Sequence, residues 1–70
     1  MNMKLFAERV KELRIEKGLS VRDLAKTVGI PSHGSIVHWE NAKRMPMADA
    51  VSKLARFFGV SSDYLMGNED

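Results

Sequence analysis

The sequence predicts an all-α fold: five short helices packed as a compact bundle. Two observations carry that reading. Apolar residues recur at helical spacing, with no strand-like alternation beyond a few residues. Capping residues and helix-ending glycines also recur at short intervals along the whole chain.

Each element follows in order. Asn2 is placed to cap a first helix whose Phe6, Val10 and Leu13 share a face, and Lys17-Gly18 closes it with a cation and a glycine. Ser20, with an acid three residues on at Asp23, starts a short second helix that carries Leu24, Ala25 and Val28 and stops at Gly29. Ser32 caps a third helix holding Ile36 and Trp39, which face the core together at i, i+3. Pro46 precedes a fourth, with Val51, Leu54, Ala55 and Phe58 on one face and Gly59 at its end. Ser61 caps a last short helix with Tyr64 and Leu65, ended by Gly67. The second and third helices are too short to be stable alone. A glycine and two or three further residues join them, the layout of a helix-turn-helix over roughly residues 20–41. This arrangement turns His33, Gly34, Val37 and His38 outward or to the margin.

Composition narrows the class. Seventy residues make a single domain, residues 1–70, and a chain of this size buries about 60% of its unfolded surface. With 44% hydrophobic and 29% charged residues it is globular rather than disordered. It has no cysteine, so neither a disulfide frame nor a thiolate metal site supplies stability. No apolar run spans a membrane and no apolar leader opens the chain, which predicts a soluble, cytoplasmic protein. All eleven Lys and Arg lie at or before Arg56. Residues 1–62 therefore carry eleven positive charges against six negative, a tilt that suits a polyanionic partner and equally a solvated surface.

The stretches "RVKELRIEKGLS", "DLAKTVGI", "SIVHWENAKRMP" and "LARFFGVSSDYLMG" resemble, in this order, the Cro/C1-type helix-turn-helix family of phage repressors and small bacterial regulators. The resemblance runs from about Leu5 to Gly67. It implies a lambda repressor-like DNA-binding domain whose third helix enters the major groove, with bases read from its first turn and from one residue a turn later. Carried over residue by residue, the base-contacting positions are His33, Gly34, Ser35 and His38. The phosphate-contacting positions are Val21, Arg22, Asn41, Lys43 and Arg44. The resemblance also implies that Arg14 pairs with Glu40 as a partly buried structural ion pair.

This sequence departs from the family pattern at three places. Glutamine is usual where Val21 stands, and valine offers a phosphate only its backbone N–H. The turn between Gly29 and Trp39 is one residue longer than usual, with the extra residue at Pro31 or nearer Gly34; in the second case His33 falls in the loop. The usual glycine after "WEN" is Ala42, so either Asn41 or Ala42 takes the left-handed conformation.

Other chemistry finds little footing. His33 and His38, five residues apart, sit about 140° apart around a helix, too far to chelate one ion, so no metal and no cofactor is expected. Trp39 reads as core, Tyr64 as packing the last helix, and the methionines as gap-fillers. No nucleophile–base pair, phosphate-cradling glycine loop or carboxylate dyad is present, so the chain is not expected to be an enzyme, and no small-molecule substrate is evident. The expected function is a sequence-specific regulator, a repressor of phage or bacterial type. It binds double-stranded DNA as a homodimer on two half-sites, pairing through the C-terminal helix near Val60, Tyr64, Leu65 and Met66. The alternative is an antitoxin or protein-interaction adaptor that uses the same fold. "DYLMG" also suits the junction to a further domain in a longer repressor.

Overall fold

The computed structural model describes residues 1–68 and is all-helical over that range, with helices α1 (Met3–Glu16), α2 (Val21–Val28), α3 (His33–Glu40), α4 (Ala48–Phe58) and α5 (Ser62–Leu65). Local capping chemistry sets the starts. Asn2 Oδ1 accepts from the Leu5 N–H at 3.0 Å, Ser20 Oγ from Asp23 at 3.0 Å and Ser61 Oγ from Tyr64 at 2.9 Å. Ser32 Oγ accepts from the Gly34 N–H at 3.2 Å, so α3 begins at His33. Each of these bonds satisfies an N–H that the helix itself leaves without a carbonyl. The fourth start differs: Met47 is the cap residue and supplies no side-chain bond.

The core is built where the helical faces meet. Phe6, Val10, Leu24, Ile36, Leu54 and Leu65 are wholly enclosed, drawn from all five helices. α3 packs against both α1 and α2, α4 against α2 and α5, and α5 against α1. Trp39 is 5% exposed and meets Phe6 edge-on with ring centroids 6.2 Å apart, an arrangement aromatic pairs favour. Tyr64 is half-buried, with the Arg9 guanidinium 4.1 Å above its ring and donating to its carbonyl.

The ends of the described chain close on each other. The Asn2 N–H donates to the Met66 carbonyl at 2.8 Å, and Gly67 lies against the start of α1. A Cβ on Gly67 would come within 2.8 Å of Asn2 Cβ and 3.0 Å of Leu5 Cβ, and its φ of +74° is left-handed. Glycine is required there on both counts.

Two expectations need correction. Met45 and Met47 fill no gap: they are 62% and 77% exposed, flanking Pro46 on the connection before α4. That extended connection follows the α3 terminus across the surface rather than into the core, so its side chains meet solvent. Leu65 is not available to a second chain, because α5 turns it fully inward between α1 and α4.

Candidate nucleic-acid interface

α3 is held by its buried edge. Ile36 and Trp39 are sunk in the core, and Glu40 at the helix end is fixed by Arg14. Arg14 Nε and Nη2 donate to Glu40 Oε2 and Oε1 at 2.7 and 3.0 Å, while Nη1 donates to the Leu19 carbonyl at 2.8 Å. The hydrogen bonds it donates to Glu40, opposed by burial and helped by the Glu40 charge, hold the Arg14 guanidinium above its ordinary pKa, so it stays charged. The expected ion pair is therefore present, and it joins the end of α1 to the end of α3.

The rest of α3 is only partly open to solvent. His38 is exposed, whereas His33, Gly34 and Ser35 are half-buried in the first turn. His33 is helical, so the longer turn is absorbed between Gly29 and Ser32, upstream of the helix. It lines a shallow depression with Arg22, Ala25, Lys26, Ile30 and Pro31. His33 thus belongs to the seam between α2 and α3, while Gly34 and His38 lie on the open face.

The flanking positions sort by chemistry. Arg22, Lys43 and Arg44 are exposed. Val21 is half-buried and packs its side chain against the core, which leaves its backbone as the polar group it presents. Asn41 is exposed, but its Nδ2 donates to the Val37 carbonyl at 2.8 Å, so one of its two amide hydrogens already closes the helix end. Ala42 resolves the glycine question: it takes the left-handed conformation at φ +55°, whereas Asn41 stays at φ −100°. The bend at Ala42 carries the chain into Lys43, whose N–H donates to the His38 carbonyl at 2.8 Å.

Lys26 was missed in the sequence. It is exposed one turn after Arg22 and borders the same depression. Its spacing at i, i+4 from Arg22 was the available signal, masked because a lysine near a helix C-terminus also suits the helix dipole. Among the described residues no group of three or more His, Cys, Asp or Glu is placed to hold a metal ion, and no helix is long and apolar enough to cross a membrane.

A serine-capped helix, a tight turn and a second helix pinned by its buried edge define a helix-turn-helix protein. The chain belongs to the helix-turn-helix domain family, of the Cro/C1 type, whose model matches residues 7–70. It is 26% identical over 66 residues to the cryptic phage CTXphi transcriptional repressor RstR of Vibrio cholerae, covering 94% of this chain and 59% of that one. It is 36% identical over 62 residues to the SPbeta prophage-derived uncharacterized HTH-type transcriptional regulator YonR of Bacillus subtilis, covering 89% and 56%. It is 31% identical over 65 residues to the HTH-type transcriptional activator BcrR of Enterococcus faecalis, covering 93% and 31%. The chain thus spans less than two thirds of the length of each of these relatives. No solved structure matches it significantly.

Proposed function

We propose that the chain is a sequence-specific DNA-binding transcriptional regulator of prophage or bacterial type, acting as a repressor in the cytoplasm. The observation that carries this reading is the placement of exposed cations around α3. Arg22 and Lys26 stand on the α2 side, and Lys43 and Arg44 on the loop beyond its C-terminus. A helix laid in a major groove is bordered by phosphates on both sides, and cations on both sides meet them. Base contacts then fall to Gly34, Ser35 and His38 on α3, with His33 at its edge. Phosphate contacts fall to Arg22, Lys43, Arg44, the second amide hydrogen of Asn41 and the backbone of Val21. An imidazole at His38 is suited to donate to guanine N7 or O6.

One such module spans only a few base pairs, so useful specificity calls for a homodimer on two half-sites. The surface for it lies at the α5 end, around the half-buried Val60, Tyr64 and Met66. Relatives named as a phage repressor and a prophage-derived regulator support the same reading.

The test is salt-dependent binding to duplexes selected from a random pool. With about three to four phosphates neutralised per monomer, the slope of log affinity against log salt is expected at about −5 to −7 for the dimer. A flat slope, or no duplex bound at low salt, defeats the proposal. Reversing Lys43 and Arg44 to Glu separates it from the adaptor alternative, since a regulator loses DNA and an adaptor keeps its protein partner.

A further inference from the structure

Val37 is, among the described residues, the large apolar side chain that α3 leaves in solvent, 38% exposed beside the enclosed Ile36. Neither packing nor local propensity accounts for it. A β-branched residue lowers helix propensity, and an exposed one recovers little of that through burial. Its position on the helix is more telling. At about 100° per residue, Ile36 and Trp39 define the buried side, and Gly34 lies almost diametrically opposite. Val37 and His38 flank Gly34 at about 60° and 40° on either side. The outermost face of α3 is therefore an imidazole and an isopropyl group with a glycine between them.

Gly34 is not demanded by the backbone. Its φ is not left-handed, and a Cβ there would meet only the capping Ser32 Oγ, at 3.3 Å, a tight contact that the serine side chain can relieve with a small shift. What the missing side chain does create is a notch at the crest of the helix, bordered by Val37. The major-groove edges of the bases carry donors, acceptors and a single apolar group, the C5-methyl of thymine. We infer that Val37 is a specificity-determining residue that packs on a thymine methyl, with the Gly34 notch letting the base edge come close. The inference rests on the DNA-binding reading. It adds an apolar half to the recognition surface, so that each half-site holds a required thymine next to the base read by His38.

The experiment replaces each thymine of a pool-selected duplex in turn by deoxyuridine, which removes the methyl and leaves pairing and hydrogen bonding unchanged. Loss of one buried methyl is worth about fourfold in affinity. The unmodified protein is expected to weaken about fourfold at one thymine per half-site. Val37→Ala is expected to be indifferent at that thymine, to keep the other base preferences, and to melt no lower than the unmodified protein. A protein that binds its selected duplex yet tolerates every deoxyuridine overturns the inference and leaves the DNA-binding reading standing. The same result follows if Val37→Ala retains the full fourfold sensitivity. Failure to select any duplex overturns both.

Discussion

Arg14 and Glu40 form a two-pronged ion pair, with both guanidinium–carboxylate contacts at 2.7–3.0 Å and the side chains only 14% and 8% exposed. The remaining arm of Arg14 holds the Leu19 carbonyl, so one side chain ties α1, the approach to α2 and the end of α3. Paired geometry of this kind is the stronger form of the interaction, since two parallel bonds fix orientation as well as distance.

Removing one partner strands the other charge in a poorly solvated place. Arg14→Ala or Glu40→Ala is expected to cost about 3 kcal/mol, a large share of the stability of a domain this small. Arg14→Ala with Glu40→Ala is expected to lose clearly less than the sum of the two single changes. Urea midpoints of the four proteins close the cycle; additive losses would show that the two groups act independently.

Ala42 holds a left-handed conformation that costs a non-glycine residue about 1–2 kcal/mol. Ala42→Gly removes that cost but adds freedom to the unfolded chain, which returns about 0.4–1 kcal/mol. The net gain is expected at about 0.5–1 kcal/mol, or a few degrees in melting temperature. A lower melting temperature would mean that the bend is not strained. Ala42→Val, β-branched at the same φ, is expected to melt lower than either.

Gly67 has the opposite sensitivity. Gly67→Ala places a methyl against Asn2 and Leu5 on top of the left-handed penalty, and is expected to cost about 2 kcal/mol or more. Gly59→Ala shares the positive φ but meets nothing within 4 Å, so it is expected to cost only about 1 kcal/mol. Equal losses in the two variants would show that the closure onto α1 contributes nothing.

The helix starts were legible because a cap is a local event. Asn2, Ser20, Ser32 and Ser61 each bond an N–H two or three residues away, and spacing alone finds them. The fates of Leu65, Val21 and Met45 were not legible, since they depend on how helices distant in sequence lie against each other. Leu65 is enclosed because α5 meets both α1 and α4, and Met45 is exposed because the α3–α4 connection stays on the surface. At the candidate site the residue types were readable, but their division between seam and open face was not. That division depends on the start of α3, which the longer turn leaves open in the sequence and the bond between Ser32 and Gly34 fixes in the fold.

His38 and Arg44 provide the sharpest separation of roles. His38 projects from the second turn of α3 on the side away from Ile36 and Trp39, where it can reach a base edge. His38→Ala is therefore expected to relax preference at one position per half-site by about 1–3 kcal/mol. Arg44 lies beyond the helix, past the bend at Ala42, where the reachable partner is the sugar–phosphate backbone. Arg44→Ala is expected to weaken binding to every duplex alike and to make the salt slope shallower by about one per contact removed. Both side chains are exposed, so neither change is expected to lower the melting temperature appreciably. The comparison uses the selected operator, its single-base variants and unrelated DNA at several salt concentrations. If His38→Ala weakened all duplexes equally, α3 would not be presenting that residue to bases. The helix would then be docked about its first turn alone, with His33 at the seam taking the role assigned to His38.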